Sequence, residues 1–223
     1  RNVQASIMDY FQLTECFVDG VNTEVLKGIL TSNAVELRLD RNGMSSQEAS
    51  TVAECLQSNP ALARLVLGDN HFNDNDAAVL ANSLSSNTNL RSLNVGGNNV
   101  TEEGRLSFLR AIFDVTSLAS CAASNHNCQV AGLEQDISAL NCCVEASDNK
   151  WEKIFAMLAL SSQDSFINTA LLSGVPASLM PVLLDQAGVQ IEEGDSHITD
   201  LYLELSGAGR SQKHDDWDNP RHA

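Results

Sequence analysis

Apolar residues recur along this chain in one fixed grouping. Leu37-Arg38-Leu39-Asp40-Arg41-Asn42 returns as Leu65-Val66-Leu67-Gly68-Asp69-Asn70 and again as Leu93-Asn94-Val95-Gly96-Gly97-Asn98, each time 28 residues on. A further step of 28 reaches Cys121, with Ala123 and His126 at the matching offsets, and 26 residues before Leu37 stands Phe11, followed by Leu13 and Cys16. The full pattern is apolar-x-x-apolar-x-apolar-x-x-Asn/Cys-x-apolar. It reads Met8, Phe11, Leu13, Cys16, Val18; then Ala34, Leu37, Leu39, Asn42, Met44; then Leu62, Leu65, Leu67, Asn70, Phe72; then Leu90, Leu93, Val95, Asn98, Val100. A degenerate fifth copy, held mainly by its spacing, is Leu118, Cys121, Ala123, His126, Cys128. The alternation at the two middle apolar positions is that of a short, half-buried strand.

Between the strands the period changes to that of a helix. Val52, Ala53 and Leu56 make one apolar stripe, and shifts of 28 give Leu80, Ala81, Leu84 and Phe108, Leu109, Ile112. Ser45-Ser46-Gln47-Glu48 has the form of a capping box, and Thr101-Glu102-Glu103 offers a cap residue and first-turn acids. The Asn or Cys of each copy falls where the chain leaves the strand, so Cys16, Asn42, Asn70, Asn98 and His126 are expected to be structural turn residues. An amide side chain there bonds backbone that is otherwise buried unpaired. One such unit cannot bury its own apolar face, whereas stacked units share a continuous core.

This pattern resembles the leucine-rich-repeat family, and the 28-residue period with a helix in each unit resembles its ribonuclease-inhibitor-like branch. The resemblance implies an α/β solenoid: a short horseshoe arc with parallel strands on the concave face, helices on the convex face and a helical C-terminal cap. The expected organisation is an array of about five repeats over 7–128, a loop over 129–149, a helical cap over 150–206 and a flexible acidic tail over 207–223. The resemblance also implies a non-catalytic module that binds a protein through the concave strand face and adjoining loops. A GTPase-activating protein of the Ran-activator type and a ligand-sensing part of a larger leucine-rich-repeat receptor are the alternatives left open.

Residues between the core positions line that face in columns. They are Glu15, Arg41, Asp69, Gly97, Asn125; Tyr10, Glu36, Arg64, Ser92, Ser120; Gln12, Arg38, Val66, Asn94, Ala122; and Thr14, Asp40, Gly68, Gly96, Ser124. The candidate partner-binding residues are Tyr10, Gln12, Glu36, Arg38, Asp40, Arg41, Arg64, Asp69 and Asn94, with the three arginines as anchors. Two readings of the alternating charges stay open: they solvate and align the sheet, or they contact a partner. The other end of the face is small and neutral, and either a partner or the chain's own C-terminal segment would fit it.

Beyond residue 128 helical spacing returns in Trp151, Ile154, Phe155, Leu158, then in Phe166, Ile167, Ala170, Leu171, in Leu179, Val182, Leu183, and in Ile198, Leu201, Tyr202, Leu205. These helices read as a cap over the end of the solenoid core, with a separate partner-binding helical unit as the alternative. From Ser206 onward the chain is polar, and Trp217 among acids reads either as a short docking motif or as a residue that packs back on the solenoid. The chain begins without Met and is read as a fragment or processed form whose N-terminal address is missing.

Charge narrows the partners. The 223 residues carry a net charge of −16, and 185–223 alone hold nine acidic and three basic side chains. Nucleic acid and anionic membranes need clustered Lys/Arg, so neither is expected; a basic protein partner is. No signal peptide and no membrane-length apolar run is visible. With six cysteines read as mostly reduced and buried, the chain is placed inside the cell, in the cytoplasm. Phosphate-binding glycine loops, nucleophile elbows and paired metal-ligand motifs are all missing from the sequence. The grouping of His126, Cys128, Cys142 and Cys143 is a poor chelator. No cofactor, no metal and no enzymatic activity are expected.

Overall fold

The computed structural model describes residues 10–17 and 20–162. These fall into two compact units. The larger comprises residues up to 114 and 123–151; the other comprises 115–122 and the chain from 152 onward.

The larger unit holds five three-residue strands, the first four each centred on the first apolar residue of a repeat pair: β1 (Tyr10–Gln12), β2 (Glu36–Arg38), β3 (Arg64–Val66), β4 (Ser92–Asn94) and β5 (Gln129–Ala131). They make one parallel sheet in the order β1-β2-β3-β4-β5. Register aligns Phe11, Leu37, Leu65, Leu93 and Val130 in a row. The last four are wholly buried, whereas Phe11, on the edge strand, is half-buried. Parallel neighbours need a crossover, and helices supply it: α1 (Thr23–Leu30), α2 (Ser46–Gln57), α3 (Asp74–Leu84) and α4 (Glu102–Ile112). The stripes Val52-Ala53-Leu56, Leu80-Ala81-Leu84 and Phe108-Leu109-Ile112 are buried, and burying each large apolar side chain stabilises by roughly 1.5–3 kcal/mol.

Helix starts show how neighbouring units are tied. Glu48 Oε2 accepts from Ser45 N–H at 2.8 Å, the reciprocal half of a capping box. Asn73 and Asp76 form a second such box, with Asp76 Oδ2 accepting from Asn73 N–H at 3.0 Å. At α4 the arrangement differs from the sequence expectation. Thr101 occupies the cap position without capping through its own side chain. Asp74, from the preceding unit, accepts from Thr101 N–H at 2.7 Å, Gly104 N–H at 3.0 Å and Thr101 Oγ1 at 2.7 Å. A carboxylate at a helix N-terminus is favoured by the aligned peptide dipoles, and here it also joins two units.

The turn asparagines form a ladder. Asn42 Oδ1 accepts from the N–H groups of Cys16 and Phe17 at 2.9 and 3.0 Å. Asn70 Oδ1 accepts from Asn42 and Met44 at 3.0 and 3.1 Å, and Asn98 Oδ1 from Phe72 at 3.1 Å. Asn70 Nδ2 donates backwards to Leu39 O and to its own turn at Leu67 O and Gly68 O. Cys16 is the turn residue of the first unit, and its side chain is exposed.

The fifth unit corrects the sequence expectation. A step of 28 from β4 lands on Leu118–Ala123, which is a short helix, α5. The strand arrives nine residues later, with Leu93 paired to Val130. Leu-Ala-Ser-Cys-Ala-Ala carries no β-branched residue, and Ser117 Oγ accepts from Ser120 N–H at 3.0 Å at its start, so local preference favours a turn of helix over a strand. His126 is therefore not a repeat turn residue: it precedes the strand. Cys128 takes the place of Leu90; Asn125 Oδ1 accepts from Cys128 N–H as Asn87 Oδ1 accepts from Leu90 N–H, both at 2.8 Å. Ser120, Ala122, Ser124 and Asn125 leave the face columns, and Gln129 and Ala131 stand in register there instead.

Nor is 129–149 a loop. It contains β5, a 3-10 helix at Ser138–Asn141, and the start of α6 (Ala146–Ser162), which begins before the expected boundary at 150. Of the expected helical stripe, Ile154 and Leu158 are buried, as is Met157; Phe155 is half-buried and Trp151 is exposed. The stripes expected over 166–205, most of the cap and the tail with Trp217 lie outside the described residues, as do Met8 and Val18.

Candidate binding face

Strand geometry sends alternate side chains to opposite faces. With Leu37, Leu65 and Leu93 turned into the core, their neighbours Tyr10, Glu36, Arg64, Ser92, Gln129 and Gln12, Arg38, Val66, Asn94, Ala131 form two cross-strand rows. The turn after each strand adds a third row, Glu15, Arg41, Asp69 and Gly97, with φ of 55°, 58°, 52° and 70°. Three of the four carry side chains in a region that costs an L-residue roughly 1–2 kcal/mol. At Gly97 the glycine avoids that cost, and a Cβ there would collide with Asp69 Oδ1.

The charged half of the face is an ion-pair network. Arg41 Nη1 lies 3.0 Å from Glu15 Oε1, and its Nε lies 3.3 Å from Asp69 Oδ2. Glu36 bridges two arginines, Arg64 at 3.3 Å and Arg38 at 3.5 Å. Hydrogen bonds from Arg41 to Glu15 and then Asp69, with the charges of both acids, raise its pKa further above the physiological range. The tyrosine hydroxyl of Tyr10 donates to Gln12 Oε1, and Gln12 Nε2 donates to Thr14 Oγ1 at 3.1 Å. Asp40 Oδ1 is buried without a hydrogen-bond partner among the described residues.

The neutral half is built from small residues. Gly68, Gly96 and Gly132 approach one another: a Cβ on Gly96 would sit 3.2 Å from Gly132 Cα, and one on Gly68 would sit 3.1 Å from Gly96 O. Asn94 Oδ1 accepts from Gly96 N–H at 2.9 Å and belongs to this half.

All nine candidate residues thus stand on consecutive strands or their turns. The sequence columns did not reveal that each arginine is already paired in the isolated chain, because pairing depends on rotamers and not on spacing. A second set of buried asparagines was also missed. Asn125 Nδ2 donates to Leu84 O and Asn87 O at 2.8 and 2.9 Å, and Asn87 Nδ2 to Leu56 O at 2.8 Å. The recurrence of Asn three residues before an apolar position, at Asn87-Leu90 and Asn125-Cys128, was the available signal. Among the described residues no group of three or more His, Cys, Asp or Glu side chains is gathered as a metal site gathers them. No helix there is long and apolar enough to cross a membrane.

Parallel strands, helical crossovers between them and an asparagine turn ladder make this chain an α/β leucine-rich-repeat solenoid. Residues 86–109, covering β4 and most of α4, match the family model described as Leucine Rich repeat. No curated protein sequence matches the chain. Among solved structures, "Leiomodin-1 Actin-Binding Site 2 (ABS2)" is 14% identical, with 87% of this chain and 95% of that one covered and a TM-score of 0.40. The tropomodulin C-terminal domain, from structural genomics of Caenorhabditis elegans, is 15% identical, with 85% and 98% covered and a TM-score of 0.40.

Proposed function

We propose that this chain is a non-catalytic protein-binding module of the ribonuclease-inhibitor-like kind, working inside the cell and taking its partner on the concave strand face. The observation that carries the reading is the exposed, ion-paired face on β1 to β3. Tyr10, Gln12, Glu36, Arg38, Asp40, Arg41, Arg64 and Asp69 gather there, with Asn94 beside them on β4. Exposed ion pairs add little to stability, so a network of them is a poor account of why this surface is built as it is. A partner replaces solvent around such charges and reads their positions, and electrostatic complementarity gives specificity and rate more than raw affinity. Four acids face three arginines, and the whole chain carries −16, so the fitting partner is a basic protein surface; nucleic acid and anionic lipid do not fit. The 28-residue period, with helices of 12, 11 and 11 residues in α2, α3 and α4, supports the branch assignment.

The test is affinity capture by the immobilised chain, comparing wild type with the triple variant Glu15→Lys/Glu36→Lys/Asp69→Lys and with Arg110→Glu on α4. The reading expects a partner retained by wild type and R110E, and weakened about tenfold or more by the triple variant. Equal retention by a triple variant that still folds contradicts it.

A further inference from the structure

Two thiols stand side by side where the repeats end. Cys142 caps the 3-10 helix in an α-region turn (φ −81°, ψ −23°), its N–H donating to Ala139 O at 3.3 Å. Cys142 is exposed, Cys143 is half-buried, and neither is in a disulfide. One side chain grips the backbone of Cys143 from both sides. Asn149 Oδ1 accepts from Cys143 N–H at 2.9 Å, and Asn149 Nδ2 donates to Cys143 O at 3.1 Å. The same Nδ2 donates to His126 O at 2.9 Å, and Asn149 is buried. On the other side of the pair, Asn141 Nδ2 donates to Asn125 O at 3.1 Å and Cys128 O at 2.7 Å, while Gln129 Nε2 donates to Asn141 O at 3.0 Å. The dithiol therefore sits in a short segment fastened to the last repeat by an asparagine on each side.

Adjacent Cα atoms lie about 3.8 Å apart across a trans peptide, inside the roughly 4.4 Å lower bound usual for a disulfide. A bond between neighbouring cysteines closes a small ring that forces the intervening backbone to bend. Strained, exposed disulfides are the readily reduced ones. We propose that Cys142-Cys143 is a reversible oxidation site whose vicinal disulfide releases the grip of Asn149 on Cys143 and so loosens the closure behind β5. The oxidant is a low-molecular-weight disulfide. The Cys142 thiolate attacks one of its sulfurs, forming a mixed disulfide and expelling one thiolate. The Cys143 thiolate then attacks Cys142 Sγ and expels the second. Two electrons pass to the reagent, which leaves as two thiols carrying the two protons. Cys55, Cys121 and Cys128 are buried away from such a reagent, and Cys16 lies on the first repeat.

The experiment treats the reduced full chain with oxidised glutathione. Intact mass is expected to fall by two hydrogens with no retained glutathione, and fragmentation should locate the loss at Cys142-Cys143. Cys142→Ser and Cys143→Ser should each abolish the loss. Hydrogen exchange of the Cys143 amide should quicken about tenfold or more on oxidation, as it should in reduced Asn149→Ala, and return to its starting rate with reductant. A stable glutathione adduct on Cys142, or a bond to any other cysteine, overturns the site. Vicinal oxidation with unchanged Cys143 exchange overturns the release.

Discussion

Asparagine 70 offers the sharpest test of how the repeats hold together. It lies in the middle of the turn ladder and is 3% exposed. Truncation to Ala leaves the N–H groups of Asn42 and Met44, now bonded at 3.0 and 3.1 Å, without an acceptor. It also removes the two hydrogens that Nδ2 shares among Leu39 O, Leu67 O and Gly68 O. A buried group left unpaired costs about 1–3 kcal/mol, so the two amides alone account for roughly 2–6. Partial relaxation brings the expectation to about 3 kcal/mol. At a urea slope of about 2 kcal/mol per molar, the midpoint falls by about 1.5 M. Asn42→Ala should cost less, because its acceptor serves Cys16 and Phe17, where Cys16 is exposed and water can take over. Asn99→Ala, an exposed neighbour, should stay within about 0.5 kcal/mol. Hydrogen exchange should show the amides of Asn42 and Met44 losing protection in N70A specifically. An N70A midpoint within about 0.5 M of wild type would refute the ladder as a source of stability.

The remaining predictions concern acid, backbone and thiols. Burial pushes the Asp74 carboxyl up, but hydrogen bonds from the Thr101 hydroxyl, Thr101 N–H and Gly104 N–H outweigh it and hold its pKa below the ordinary value. Its contribution is therefore present above about pH 4 and is lost as pH falls through the folded-state pKa. Asp74→Asn should lose less stability than wild type between neutral and acid pH in urea titrations; parallel losses would contradict the assignment. Gly97→Ala should destabilise by about 1–3 kcal/mol, and Asp69→Ala in the same chain should recover part of that; a neutral G97A in thermal melts would be inconsistent with the close approach. Burial pushes the Cys128 thiol up to about 12 and raises Cys55 for the same reason. At pH 8 a thiol reagent should modify Cys16 and Cys142 in the native chain, while Cys55 and Cys128 react only on unfolding, and early labelling of Cys128 would show the last repeat to be open.

What could be read from the sequence follows from what repeats. Leu37, Leu65 and Leu93 recur at a constant step because each unit must present the same apolar face to the next, so strand register, helix stripes and the roles of Asn42, Asn70 and Asn98 are visible as spacing. The fifth unit breaks that link. Inserted residues form α5, and arithmetic alone carries the period into Cys121 when the strand waits for Val130. The strand-bearing signal there was the β-branched Val130 beside Gly132, which is weak against an established period. Ties between units were equally hidden. Asp74 capping α4 and Asn149 gripping Cys143 join residues whose spacing occurs once, so no recurrence marks them. On the candidate face, sequence placed the arginines on neighbouring strands, but only side-chain geometry reveals Glu36 between Arg38 and Arg64.

The central claim, that the strand face of β1 to β3 receives a protein partner, is tested most directly by hydrogen-exchange footprinting of the captured complex with side-chain labelling of the same face. The account predicts that Tyr10 and the carboxylates of Glu15, Glu36 and Asp69 become protected from labelling on binding. The exposed acids of the helices, Glu54 on α2 and Glu103 on α4, should keep their reactivity. Protection confined to the helices, with the labelling of Tyr10, Glu36 and Asp69 unchanged, would contradict it.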